Sequence, residues 1–216
     1  MSLVVLAALA LVACGGDTDA GGGSKQKFLG ASELCEGAFS AEGAAALRTV
    51  TGAELFYPSP EGEGVSTAAA DLEHDFLRRA PFSPEHRLCS VYRKGGNDFT
   101  DASLSFFLAE KYELDTSDLA ADQHPYAMGK LASAGLKRSY LLFECVSPGL
   151  PGSAKSPALI GGEISDRHPP EKGSRLLWEA SLTALHSAAL ALAKELGCAR
   201  DGGLSSKVKL VPVSAR

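Results

Sequence analysis

The residues of this 216-residue chain that are able to do chemistry do not fall into a known catalytic spacing. No G-x-S-x-G segment provides the nucleophile elbow of a serine hydrolase, and no histidine belongs to an H-E-x-x-H pair that would hold zinc. The densest polar cluster holds Asp166, Arg167, His168 and Glu171 around two prolines. Binding residues often lie in such loops, although a solvated connection explains the cluster more simply. We treat residues 166–171 as a candidate binding loop and keep the solvated connection as the simpler alternative.

Composition excludes several classes of function. The chain has 21 Lys and Arg residues against 26 Asp and Glu residues, which gives a net charge of −5 at pH 7. An acidic protein is repelled by phosphate, and no run of Lys and Arg interleaved with aromatic residues occurs along the sequence. We therefore expect no nucleic-acid partner. Gly161-Gly162 lacks the pattern of a phosphate-binding loop, and we predict no cofactor.

Four of the five cysteines, Cys35, Cys89, Cys145 and Cys198, are spaced by about fifty residues. A zinc site is disfavoured because its ligands normally include close pairs such as C-x-x-C. Two disulfides are the natural interpretation, and four cysteines allow three pairings. We favour Cys35 with Cys89 and Cys145 with Cys198, since each bridge would then join a segment outside the sheet to a core strand. Loops of this size contribute about 4 kcal/mol each in the chain-entropy model.

Three helices are predicted from capping residues and apolar spacing. Ser40 is a suitable N-cap for the first helix, which Gly52 ends, and a second helix runs from Ser66 until Pro81 stops it. The longest covers about residues 174–196. Its apolar positions recur at spacings of four and three residues, and Gly197 follows its end. They are Trp178, Leu182, Leu185, Ala189, Leu192 and Leu196.

Runs with a two-residue period predict strands over 86–93, 102–110, 138–146 and 158–165. The first two are joined by a Gly-containing connection of the kind found in hairpins. The segment 114–136 is harder to read and fits short helices or a mobile loop, and 207–213 fits either an edge strand or a frayed tail. The predicted fold class is α+β, with an antiparallel sheet of about four to five strands packed against helices.

The first fourteen residues resemble the signal sequence of a bacterial lipoprotein. An apolar run from Leu3 to Val12 is too short to span a bilayer and ends at Ala13-Cys14, before a Gly-rich stretch. Residues 11–14 (Leu-Val-Ala-Cys) resemble the lipobox. The resemblance implies that cleavage precedes Cys14 and that Cys14 carries a diacylglyceryl group, whose two acyl chains suffice for stable anchoring. A buried apolar element, or cleavage by another peptidase after Ala13, is the alternative.

The whole arrangement resembles the small secreted lipoproteins of actinobacteria. It implies a signal peptide over 1–13, a lipidated cysteine and flexible Gly/Ser tether over 14–27, and one α+β domain over 28–216. The expected location is the outer face of the cell membrane, with the lipid bilayer as a partner through the Cys14 anchor. Scarce Asn and Ile fit a GC-rich genome, which agrees with that source.

Because no catalytic constellation is recognised, we favour a non-catalytic binding module for an unknown envelope protein or ligand over an enzyme. Two alternatives remain open. One is a secreted enzyme whose site lies in the 166–171 loop. The other is a lipoprotein that captures a small ligand between the sheet and the last helix.

Overall fold

The computed structural model describes residues 27–79, 84–96, 99–110 and 119–213. Cys14 and residues 14–26 of the predicted tether lie outside the described residues, as does the predicted signal peptide. The α+β fold class predicted from the sequence is confirmed. One antiparallel sheet packs against helices, and the longest helix lies near the carboxyl end of the chain.

In the described part of the chain the sheet has six strands, one or two more than the sequence predicts. Their bounds are β1 His86–Val91, β2 Ala102–Leu108, β3 His124–Tyr126, β4 Leu131–Ala134, β5 Arg138–Cys145 and β6 Ala158–Asp166. The order across the sheet is β1-β2-β6-β5-β4-β3, and every neighbouring pair is antiparallel. Strand β6 is therefore central, between β2 and β5.

Strands β3 and β4 lie in the segment 114–136, for which the sequence favours short helices or a loop, so that expectation is wrong for these residues. Strand β3 is three residues long and contains Pro125, and β4 is the run Leu-Ala-Ser-Ala, which lacks the β-branched and aromatic residues typical of strands. All four β4 residues are nevertheless buried. Contact with β5 and with the longest helix stabilises this strand where its own residue preferences do not.

Three α-helices are described: α1 Ala41–Thr51, α2 Val65–Arg78 and α3 Arg175–Glu195. The Oγ of Ser40 accepts a hydrogen bond from the Gly43 backbone N–H at 3.1 Å, so the predicted N-cap of α1 is present. Helix α1 also packs closely on α3, because a Cβ at Gly43 would lie 2.4 Å from the Ser187 Cβ. The Ser187 Oγ accepts a hydrogen bond from the Ser40 backbone N–H at 2.7 Å, which fixes this crossing.

The space between α3 and the sheet is filled by side chains. Leu182, Leu185 and Leu192 of α3 have no exposed surface, and large apolar side chains of the facing strands are equally buried. These strand residues are Phe106, Leu141, Phe143 and Ile160. Helix α3 is apolar and long enough to span a membrane by length and composition alone, but here it is the core helix of the domain. The filled core gives no support to a ligand site between the sheet and α3.

Both disulfides join the pairs favoured from the sequence. Cys35, in a short 3-10 turn before α1, is bonded to Cys89 of β1, and Cys198, just after α3, is bonded to Cys145 of β5. Each bridge therefore attaches a segment outside the sheet to a strand. All four bridged cysteines are buried.

His186 of α3 is a core histidine, only 4% exposed, and its Nε2 has no hydrogen-bond partner among the described residues. Burial lowers its pKa, and this effect outweighs the backbone of Ser205 and the charge of Glu42, which act in the opposite direction. Because the pKa is lower in the folded chain, the unfolded chain takes up the proton first as the pH falls. The stability contributed by neutral His186 is therefore complete above about pH 7 and is lost as the pH drops through the folded-state pKa.

We expect the substitution His186→Leu to remove this contribution to the pH dependence. Between pH 7 and pH 5 the free energy of unfolding of the native chain should fall relative to that of the variant, by up to about 1.4 kcal/mol per pH unit. Urea unfolding at pH 7, 6 and 5 measures the difference. Parallel curves for the two proteins across this range would contradict the assignment.

Candidate binding surface

The candidate loop that begins at Asp166 is held against the β1–β2 hairpin. Asp166 ends β6 and lies opposite Ala102, the first residue of β2. The next residue, Arg167, donates its backbone N–H to the carbonyl oxygen of Asp101 at 3.0 Å. The antiparallel register therefore brings the loop beside the turn of a hairpin that lies more than sixty residues earlier in the chain.

Asp166 is half-buried, and its Oδ1 accepts a hydrogen bond from the His168 backbone N–H at 2.8 Å. Burial raises the pKa of the Asp166 carboxyl, and the His168 backbone N–H acts in the opposite direction. The side chains of Arg167, His168 and Glu171 are exposed. Since three of the four predicted loop residues face solvent, they enclose no pocket, and the structure gives no support to a catalytic site here.

Arg167 contacts an aromatic residue that the sequence analysis did not select. Its guanidinium carbon lies 5.7 Å from the centre of the Phe99 ring, within the range of a cation–π contact. Phe99 is 60% exposed and is one of six large apolar side chains exposed within the described residues. A cation and an exposed ring thus lie together at the end of the β1–β2 hairpin.

Asp101 and Arg93 stabilise the base of this hairpin. Asp101 is 4% exposed, and its Oδ2 accepts the Arg93 backbone N–H at 2.8 Å. The Arg93 Nε lies 2.9 Å from the other carboxylate oxygen. The negative charge of Asp101 is therefore matched by a cation within the hairpin, and it is not presented to solvent.

The same end of the molecule receives the first described residues of the chain. Leu29 bridges to Phe56, and Phe56 bridges to Arg93, so the amino-terminal segment lies beside the hairpin. The Lys94 Nζ lies 4.6 Å from the centre of the Phe28 ring, which packs edge-on against Tyr57 at 5.2 Å. A second pairing of a cation with an aromatic ring therefore adjoins the hairpin.

We name this end of the domain the hairpin surface and define it by side chains that share two properties, basic or apolar character and full or partial exposure. Its members are Lys27, Phe28, Leu55, Lys94, Phe99, Lys137, Arg167 and His168. Lys137 belongs to it because its carbonyl oxygen accepts the Asp166 backbone N–H at 2.8 Å. The surface is assembled from five separate parts of the chain, so no local sequence pattern identifies it.

A row of polar side chains crosses the sheet from β2 to β4: Ser105, Glu163, Tyr140 and Ser133 occupy paired positions. Glu163 is 7% exposed, and burial raises its pKa although the Arg138 Nε lies 3.5 Å away. Sequence reasoning missed this row because it depends on the strand register. The charged member of the row, Glu163, forms an ion pair with Arg138 of β5.

A titratable cluster joins α2 to β1. The His86 Nε2 lies 2.8 Å from Asp75 Oδ2, and its Nδ1 lies 3.4 Å from Asp71 Oδ2. These contacts attach the helix to the first strand. Within the described ranges, no group of three or more His, Cys, Asp or Glu side chains has a geometry that could hold a metal ion.

No family profile, curated protein or solved structure matches this chain. The hairpin surface combines exposed cations with exposed apolar side chains, as a binding surface does.

Proposed function

We propose that this chain is an extracytoplasmic lipoprotein, anchored by a diacylglyceryl group on Cys14 to the outer face of the cell membrane, whose domain is a non-catalytic binding module. The observation that carries the proposal is the state of the cysteines. Both disulfides lie in the described domain, and Cys14 at the lipobox is left for lipidation. Structural disulfides persist in oxidising compartments outside the cytoplasm, so the bridges and the lipobox support the same location.

Charged side chains in and beside the candidate loop already have partners within the chain, which favours binding over catalysis. In the candidate loop, Asp166 accepts a hydrogen bond from the chain itself and Arg167 lies over Phe99. The neighbouring Asp101 is paired with Arg93. This leaves exposed cations and apolar side chains, which are suited to recognise a partner, and we assign the binding role to the hairpin surface.

Site-specific photo-crosslinking in intact cells tests the binding role. A benzoylphenylalanine is introduced in place of His168, on the hairpin surface, or in place of the exposed Lys155 as a matched control. Lys155 precedes β6 and His168 follows it, so the nine residues of that strand separate the two positions by about 30 Å.

We expect adducts with an envelope component, resolved by mass, to be at least tenfold more abundant at position 168 than at position 155. Equal labelling at the two positions, or no adduct at position 168, would contradict a binding role for this surface.

A further inference from the structure

We propose that the partner of the hairpin surface is the anionic lipid headgroup layer of the bilayer in which the chain is anchored. This inference rests on the proposed function, since it takes Cys14 as the anchor point. It goes further because it assigns an orientation, with the hairpin surface toward the membrane and the opposite end of the sheet away from it.

The distribution of charge is the first observation that favours an anionic bilayer. The chain as a whole carries a net charge of −5, so the molecule is repelled by an anionic surface unless cations are concentrated locally. The hairpin surface concentrates them: Lys27, Lys94, Lys137 and Arg167 are all exposed at one end of the domain. Each Lys or Arg close to an anionic bilayer raises the partition coefficient about fivefold at physiological ionic strength.

Of the acidic side chains that adjoin this surface within the described residues, Glu171 is exposed to solvent, and the others are partly buried or have a partner. Glu54 pairs with Arg48 at 3.1 Å, and Asp101 is buried against Arg93. Asp166 is half-buried, and the exposed Glu33 accepts the Gly30 backbone N–H at 2.8 Å. The outward-facing charge is therefore predominantly positive.

The apolar side chains of the same surface are the second observation that favours a bilayer. Phe99 is 60% exposed and Leu55 is 41% exposed, and the half-buried Phe28 lies under the Lys94 ammonium. Aromatic and aliphatic side chains flanked by Lys and Arg are the composition that binds the interface between headgroups and acyl chains. A purely electrostatic surface would not need these exposed apolar groups.

The covalent connection to Cys14 is the third observation that favours the bilayer. Cys14 is separated from Lys27 by residues that extend at most about 45 Å, and Lys27 belongs to the hairpin surface. The anchor is therefore attached to the chain at the hairpin surface and keeps Lys27 within about 45 Å of the bilayer. A tethered surface meets its partner at high effective concentration, so weak intrinsic binding suffices. An acidic protein would satisfy the charge argument alone, whereas the bilayer satisfies all three.

The test uses the mature chain from residue 14 with Cys14→Ser, which has no lipid anchor, so that any binding belongs to the protein surface. Sedimentation with vesicles of phosphatidylglycerol and phosphatidylcholine in equal parts is compared with sedimentation with pure phosphatidylcholine. We expect at least tenfold stronger partition into the anionic vesicles. This preference should weaken as salt is added, because salt shortens the Debye length and screens the charges.

Charge reversal then localises the binding. Lys94→Glu with Arg167→Glu should lower the partition coefficient at least tenfold. The control pair, Lys155→Glu with Lys194→Glu, makes the same change of net charge at exposed positions of the opposite end and should lower it less than about threefold. Because all four side chains are exposed, we expect both variants to fold, which their melting temperatures check.

Equal partition into the two kinds of vesicle, or equal losses for the two reversal pairs, would overturn the inference. Binding of the anchor-free chain is independent of lipidation, so a failure here leaves the Cys14 anchor untouched. Conversely, absence of lipid on Cys14 in cells would remove the anchor without altering the vesicle result.

Discussion

Replacing Cys145 and Cys198 together by Ala is expected to lower the free energy of unfolding by about 2–5 kcal/mol. The bridge closes a loop with a sequence separation of 53, so its loss restores conformational entropy to the unfolded chain. It also attaches Cys198, three residues beyond the end of α3, to Cys145 of β5, which has no exposed surface. Both the unfolded and the folded state are therefore affected by the change.

Urea unfolding without reductant measures this difference, and the second bridge is a matched control. Cys35–Cys89 has a sequence separation of 54, so the entropy term is nearly the same for both double variants. With excess reductant, the native chain and each variant should converge to a similar stability. A Cys145/Cys198 variant as stable as the oxidised native chain would refute the assigned role of that bridge.

Replacing Cys14 by Ser is expected to abolish attachment to the membrane. A Ser side chain cannot form the thioether to diacylglycerol, and with neither acyl chain the domain loses the two-chain anchor that makes attachment stable. The electrostatic attraction proposed for the hairpin surface is by its nature reversible and sensitive to salt. The native chain should partition into the detergent phase of Triton X-114 and the variant into the aqueous phase after a wash at high salt.

Radiolabelled palmitate incorporation gives a second measurement. Label should be incorporated by the native chain and by a control variant, Ser24→Ala, which changes the predicted tether and leaves residues 11–14 intact. Incorporation that persists in Cys14→Ser would show that the lipid is carried elsewhere and would refute the anchor assignment.

The elements with strong periodic signals were predictable from sequence. The apolar stripe from Trp178 to Leu196 predicts a helix over about 174–196, and α3 spans Arg175–Glu195. The run 138–146 predicts a central strand because it is apolar on both faces, and β5 lies between β6 and β4. These predictions succeed because side-chain burial and backbone period are coupled within one element.

Elements that depend on their neighbours were not predictable in the same way. Strands β3 and β4 carry too few strand-forming residues to be recognised, and pairing along the sheet supplies what their own preferences lack. The burial of His186 is another case. It borders the apolar stripe of α3, and only the packing of α1 and the chain near Ser205 makes it a core residue.

Some features of the candidate site can likewise be predicted from the sequence, and others depend on the tertiary structure. The resemblance of residues 11–14 to a lipobox, the spacing of the cysteines and the polar segment 166–171 can all be read along the chain without a structure. The hairpin surface is different, because no run of basic and aromatic residues occurs along the chain. Antiparallel pairing brings Asp166 opposite Ala102, and the bridges from Leu29 to Phe56 and Arg93 add the amino-terminal segment. Residues far apart in sequence thus share one surface, which only the tertiary structure decided.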